Sequence, residues 1–217
     1  MKYKHINYKN WNFDGKGSNI LRYLSSTEKK IWKLALLFQD KREDIGHAEF
    51  VTYFAFVLNG FLKGDKNITI PAAILHDIGW CQMTKKELKQ FYLPNWKDFE
   101  PKLRKKHQEE GVNLSEKILK EVNYPLQHIS EILEIISEHD TRKGFFSKND
   151  GIVRDADKLW RFTLPQSKIF LNKRGTKDDL YTKYLGYINQ EGFFYSNISK
   201  EIAKKELEIT LKNSVNL

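Results

Sequence analysis

The chain has 217 residues, a formal net charge of +9 and a hydrophobic content of 40%. This length and apolar content predict a single globular domain with peripheral additions over residues 1–217, and they exclude an intrinsically disordered chain. The positive charge favours anionic ligands such as phosphorylated metabolites, nucleotides or RNA, although a lysine-rich composition alone gives the same value.

The cellular location is predicted from cysteine usage and hydropathy. A single cysteine, Cys81, excludes an intramolecular disulfide framework and fits a reducing compartment. No apolar run reaches the ~18 residues of a membrane span, and the amino terminus has no apolar region typical of a signal peptide. We therefore expect a cytoplasmic protein that makes no membrane contact.

The periodicity of the chain is helical throughout. Ser26-Thr27 can cap the first helix, and prolines favour the first turn of two others, Pro71 for a short helix and Pro101 for a long one. The predicted helices cover residues 27–40, 46–59, 71–79, 101–122, 125–139 and 149–163. One or two more are predicted beyond Pro165, and the preferred one covers 199–213. Strand signals are scarce, so the sequence predicts an all-α fold.

The most informative motif is Leu75-His76-Asp77-Ile78, followed by Gly79. An adjacent histidine and aspartate inside an apolar run are costly to bury unless each has a partner, and a divalent cation supplies one partner to both. Imidazole together with carboxylate suits Mn, Fe, Co, Ni or Zn, whereas one cysteine is too few for a thiolate site. A metal site is therefore the first hypothesis.

Other histidines and an acidic segment can complete such a site. Those with matching chemistry are His47, His107, His128, His139, Asp155 and Asp157. His107 lies on the apolar face of the predicted helix over 101–122. His128 and His139 both lie at the border of an apolar face. Asp155 and Asp157 each lie about 100° from the centre of the apolar face of their helix. Periodicity therefore does not show which histidine of the pair His128 and His139, or which of the two aspartates, is a ligand.

The order H...HD...H...H...D resembles the HD-domain superfamily of metal-dependent phosphohydrolases. The resemblance covers residues 27 to 163, and Asp-Ala-Asp-Lys-Leu resembles the family's last ligand motif. It implies a helical bundle with a core over 27–163 and a C-terminal helical extension over 164–217. The implied metal ligands are His47, His76, Asp77, His107, His139 and Asp157, with His76 and Asp77 as the catalytic pair.

The resemblance also settles the pairs that periodicity leaves open. It selects His139, through its Ile-Ile-x-x-His context, and leaves His128 and His5 as non-ligands. It selects Asp157 because this aspartate follows the small residue, and Asp155 then has a supporting or salt-bridged role.

The number of histidines bears on the number of metal ions. A mononuclear HD site needs only four of the six ligands: His47, His76, Asp77 and Asp157. Branches of the family with two additional histidines, including diadenosine tetraphosphatases and HD-GYP phosphodiesterases, hold two metals, and this sequence resembles them. The resemblance thus implies one or two ions, with Asp77 bridging them. Two ions about 3.5–4 Å apart acidify a bridging water and neutralise phosphoryl oxygens.

Basic residues after the last two motifs are candidate substrate-binding groups. They are Lys158 and Arg161 after the last ligand, and Arg142 and Lys143 after His139. Arginine offers phosphate a bidentate fork and lysine a point charge, but a solvated helix face explains the same residues. Trp80 and Cys81 stand where many relatives have lysine, and the GYP signature is missing, which argues against cyclic-di-GMP.

Three functions are consistent with the sequence. The first is a phosphohydrolase acting on a small phosphorylated substrate, a nucleotide in the preferred version. The second is a diiron oxygenase, because the same six ligands resemble those of HD-domain oxygenases such as myo-inositol oxygenase. The third is a basic RNA-binding module with a structural metal site, although no RGG tract or RNP-like motif supports it.

Overall fold

The computed structural model describes residues 3–11, 16–39, 41–42, 44–90, 96–174 and 176–213. Within these ranges the structure contains helices and no β-strand, which confirms the predicted all-α fold. The α-helices are α1 (Ser26–Ala35), α2 (His47–Leu62), α3 (Lys66–Leu75), α4 (Lys85–Lys89), α5 (Trp96–Glu121), α6 (Leu126–Glu138), α7 (Lys148–Trp160), α8 (Leu164–Arg174), α9 (Lys177–Asn189) and α10 (Asn197–Asn213). The predicted helix over 27–40 ends earlier than expected, at Ala35; residues 36–39 form turns, and Asp40 lies outside the described residues.

The predicted helix starts at the two prolines are wrong. Pro71 lies inside α3, which begins at Lys66 after the side-chain cap of Asp65, and Pro101 lies inside α5. Pro71 has no N–H to donate to the carbonyl of Asn67, four residues earlier. That carbonyl instead accepts a hydrogen bond of 2.6 Å from the Tyr124 hydroxyl. A tertiary contact therefore satisfies the group that the proline leaves without a donor.

Two other helix boundaries also differ from the prediction. Ser25, rather than Ser26 or Thr27, caps α1, and it forms a capping box with Glu28. The helix predicted to end near Gly79 ends at Leu75, and a 3-10 helix over Ile78–Gln82 follows it.

The core forms where α2, α3, α6 and α7 pack against one another. Aromatic and aliphatic side chains of α2, among them Phe50, Phe54 and Leu58, are fully buried there. The long helix α5 packs on α6 and on the 3-10 helix that follows the HD pair. Gly79 permits this second contact, because a Cβ at this position would clash with the backbone of His107 and Gly111.

From Leu164 onwards the described residues contain three helices, α8, α9 and α10, whereas one or two were predicted beyond Pro165. The capping box of Thr176 and Asp179 begins α9, which the apolar periodicity did not predict. α10 packs against α2, α7, α8 and α9, so the C-terminal helices lie on the bundle. None of the helices that the structure describes combines the length and apolar character needed to cross a bilayer.

Candidate metal centre

The six predicted ligands converge from five helices. His47 is the first residue of α2, His76 and Asp77 directly follow α3, and His139 directly follows α6. His107 lies within α5 and Asp157 within α7. All four imidazoles are buried, and both carboxylates are largely buried. Three of the five helices thus contribute their ligands from a terminus.

The first group consists of His47, His76, Asp77 and Asp157. The Nε2 atom of His47 lies 3.0 Å from Nε2 of His76, 3.1 Å from Oδ2 of Asp77 and 3.4 Å from Oδ1 of Asp157. The Nε2 atom of His76 lies 3.7 Å and 3.8 Å from the same two oxygens. Atoms bound to one ion at about 2.1 Å are separated by about 3.0 to 3.4 Å, so these donors need only small shifts.

The second group consists of Asp77, His107 and His139. The Nε2 atoms of the two histidines lie 3.4 Å apart. They approach Oδ1 of Asp77 at 3.6 Å from His107 and 3.3 Å from His139. Asp77 therefore presents Oδ2 to the first group and Oδ1 to the second, which is the geometry of a bridging carboxylate.

The hydrogen bonds of two histidines show that the site fits a cation. Nδ1 of His76 bonds the Ala73 carbonyl at 2.8 Å, and Nδ1 of His139 bonds the Ile136 carbonyl at 2.9 Å. A carbonyl only accepts, so Nδ1 carries the hydrogen, and Nε2 of a neutral ring has only a lone pair. Both lone pairs lie near the carboxylate of Asp77. Acceptors that face each other in a buried site require a cation between them.

The pKa values of the histidines show where a proton can occupy the site instead of a metal ion. Burial lowers the pKa of His76, but the carboxylates of Asp77 and Asp157 outweigh burial and raise it to about 9. Burial also opposes charge on His139, yet Asp140 and Asp77 raise its pKa. Burial and the neighbouring His139 instead lower the pKa of His107 to about 3. At neutral pH the first group thus holds a proton on His76 that a metal would displace.

Metal binding by the first group is expected to strengthen as the pH rises and to level off above about 9. His76 is an imidazolium below that pKa and must be neutral to bind a metal, so acid competes with the ion. Calorimetric titration with Ni²⁺ at pH 6.5 to 8.5 should show Kd falling by up to about tenfold per pH unit. Buffers of different ionisation enthalpy should show proton release, and a pH-independent Kd without it would contradict this assignment.

Several residues of the site were not predicted from the sequence. Arg42 donates to Oδ2 of Asp77 at 2.6 Å, and its guanidinium lies 4.5 Å above the Trp80 ring. Trp80 stacks on His107 with centroids 4.0 Å apart and donates to Oδ1 of Asp77 at 3.0 Å. Burial raises the pKa of Asp77, but Arg42 and His76 together hold it well below its usual range. The position of Arg42, five residues before His47, gave no periodic signal.

Asp140 is a further residue that sequence analysis missed. Its Oδ2 lies 3.6 Å from Nε2 of His107, 3.8 Å from Nε2 of His139 and 2.5 Å from the guanidinium of Arg104. Asp140 directly follows His139, so the chain contains a second His-Asp dipeptide. This second dipeptide was the sequence feature that could have identified Asp140.

A cavity of approximately 580 Å³ opens over the centre, within the usual size range of small-molecule sites. His47, Asp77 and Asp157 line it, together with aromatic and basic side chains. The basic ones are Lys41, Arg42, Lys85, Lys89, Arg104, Arg161 and Lys183. A second cavity of approximately 420 Å³ reaches His139 and Asp157.

The four predicted substrate-binding residues occupy different places. Arg161 lines both cavities, whereas Lys158 lines only the smaller one, where its ammonium donates to the Phe193 carbonyl. Arg142 and Lys143 line neither cavity. Arg142 instead pairs with Glu134 and Glu138 on α6.

The residues set aside as non-ligands lie outside both groups. His128 is near Asp65, with 3.8 Å between nitrogen and carboxylate, and His5 is exposed. The carboxylate of Asp155 accepts hydrogen bonds from the backbone of Tyr195 and from the backbone and hydroxyl of Ser196. It therefore anchors the segment before α10.

The fold and the site together define an all-helical protein with a buried histidine and aspartate cluster suited to divalent metals. The model of the HD domain family matches residues 44–161, more than half of the chain, and the chain therefore belongs to the HD domain family. The matched stretch contains all six predicted ligands. No curated protein and no solved structure matches the chain.

Proposed function

We propose that the chain is a cytoplasmic, metal-dependent phosphohydrolase that acts on a small phosphorylated substrate, a nucleotide. The observation that carries this proposal is that one cavity joins the histidine and aspartate donors to an excess of cationic side chains. The donors fit divalent ions, and the cations fit a phosphate. Membership of the HD domain family supports the same class of reaction.

The two donor groups are proposed to hold two ions from the set Mn, Fe, Co, Ni and Zn. His47, His76 and Asp157 would hold the first, His107 and His139 the second, and Asp77 would bridge them. Such a pair supplies an acidified water and neutralises charge on phosphoryl oxygens. The His-to-carbonyl hydrogen bonds at Ala73 and Ile136 orient two of the rings before any ion binds.

Arg42 and Arg161 are proposed to orient the phosphate. Both line the larger cavity, and each contacts a proposed ligand: Arg42 pairs with Asp77, and Nη1 of Arg161 lies 3.6 Å from Oδ2 of Asp157. Metal binding would draw charge from these carboxylates and leave the guanidinium forks available to phosphoryl oxygens. Arg161 thereby keeps its predicted role in substrate binding, and Arg42 is proposed as a second phosphate-binding residue.

Metal analysis of the purified protein, followed by a screen of phosphorylated metabolites for phosphate release, tests the function. We expect release that depends on Mn, Fe, Co, Ni or Zn and stops with a chelator. The full chain carrying Asp77→Asn, purified in parallel, identifies contaminating phosphatases. Iron content with oxygen consumption, a mixed-valent signal and no phosphate release would contradict the proposal and favour the oxygenase.

Removal of one second-group histidine should empty the second metal site and leave the first. His107→Phe keeps a ring to stack on Trp80 but loses the nitrogen near Asp77, so we expect the metal content to fall from two ions to one per chain. His128→Phe, which replaces a half-buried histidine outside both groups, should retain two. Two ions in the His107 variant, or none, would contradict the assignment of His107 to a second site.

A further inference from the structure

The C-terminal helices supply an aromatic wall to the cavity above the metal centre. The family match ends at residue 161, before α8 and α9 begin. Phe170 of α8 and Tyr184 and Tyr187 of α9 nevertheless line the same cavity as Asp77. The apolar part of the cavity therefore comes largely from a segment outside the HD domain match.

Two of these rings pack against neighbouring aromatic rings and line the cavity. Tyr187 stacks on Phe193 with centroids 4.9 Å apart and planes 7° apart, and buried Tyr184 lies 6.2 Å from Tyr187 and 6.0 Å from Phe170 between ring centroids. Both Phe170 and Tyr187 are only half-buried. The aromatic contacts with Phe193 and Tyr184 hold these two rings in place, while part of each ring stays exposed.

An exposed lysine marks the accessible faces. The ammonium of Lys183 lies 5.1 Å from the ring centroid of Phe170 and 6.0 Å from that of Tyr187. A cation at this distance is attracted by the electron-rich face of a ring. The lysine side chain is long and exposed, so a planar group over the rings would displace this side chain rather than a packed core residue.

We propose that Phe170 and Tyr187 form a stacking platform for the base of a nucleotide whose phosphate lies at the metal centre. This inference rests on the proposed function and names the part of the substrate that this chain selects. Aromatic side chains stack on every base, because each base has a π-face. The basic residues that line the same cavity match the charge of the phosphate.

Binding of hydrolysis-resistant ligands separates this inference from turnover. The ligands are the 5′-phosphonate analogues of adenosine, guanosine, cytidine and uridine, and the corresponding phosphonate of ribose 5-phosphate, which lacks a base. Calorimetry with the metal-loaded wild-type chain should show each nucleoside phosphonate binding at least about 10-fold more tightly than the ribose phosphonate. Phe170→Ala and Tyr187→Ala should each remove most of this difference without weakening the ribose phosphonate.

Two variants control for folding and for loss of a ring. Tyr187→Phe keeps the stacking face and should bind as the wild type does. Tyr181→Ala removes an exposed tyrosine of the same helix that does not line the cavity, and it should change nothing.

The results distinguish failure of the platform from failure of the hydrolase. Equal affinity for ligands with and without a base, or equal weakening of both in the alanine variants, would overturn the platform. Base-dependent binding without phosphate release from any nucleotide would support the platform and refute the hydrolase. Phosphate release combined with equal affinity for ligands with and without a base would support the hydrolase and overturn the platform.

Discussion

The Asp77→Asn variant is expected to lose both metal ions and at least about 1000-fold of its phosphate release. Asp77 has one oxygen in each donor group, so removal of its charge affects both sites at once. The amide keeps the shape of the side chain, and the buried residues of α3 that fill the core are unchanged. Circular dichroism should therefore show an unchanged helical content, while elemental analysis shows the loss of metal.

Asp44→Asn is the matched control for this experiment. Asp44 lines the same cavity and pairs with the same arginine at 3.2 Å, but it belongs to neither donor group. It should retain two ions per chain. The metal-loaded wild type should melt at a higher temperature than Asp77→Asn, and a chelator should remove that difference, because a ligand that binds only the folded state stabilises it. Full metal content in Asp77→Asn would refute the bridging role.

The sequence was sufficient to predict the all-α fold because apolar residues recur at helical spacing along most of the chain. It was less reliable at helix starts. A proline inside a helix leaves one carbonyl without its usual donor, and the Tyr124 hydroxyl, in the loop between α5 and α6, supplies a donor to the carbonyl of Asn67. Such a contact depends on tertiary packing and leaves no local signal.

The structure brings the four predicted histidines together, whereas sequence analysis missed several of the charged residues around them. His76 and Asp77 are recognisable because an adjacent imidazole and carboxylate are costly to bury without a partner. Arg42 and Arg104 reach Asp77 and Asp140 from separate elements, and long flexible side chains of this kind follow no periodic pattern. The aromatic wall from α8 and α9 also could not be predicted, because its position over the cavity depends on how these helices pack.

The comparison of Asp157 with Asp155 tests the last assignment, which periodicity could not make. The structure gives the two carboxylates different surroundings. Asp157 lies 3.4 Å from Nε2 of His47 in the first donor group, whereas Asp155 is fully buried and accepts three hydrogen bonds from Tyr195 and Ser196. One residue should therefore affect metal and activity, and the other should affect stability.

Asp157→Asn is expected to weaken the first metal site and reduce phosphate release by more than about 100-fold, because a lost ligand costs more than a lost supporting residue. Asp155→Asn should keep its metal and most of its activity. Its free energy of unfolding should fall by about 1–3 kcal/mol, because the amide nitrogen cannot accept the bonds that the carboxylate oxygens accept. Urea unfolding in the presence of a chelator isolates this effect from metal binding. An inactive, metal-free Asp155 variant beside an active Asp157 variant would shift the ligand motif by two residues and refute the proposed first site.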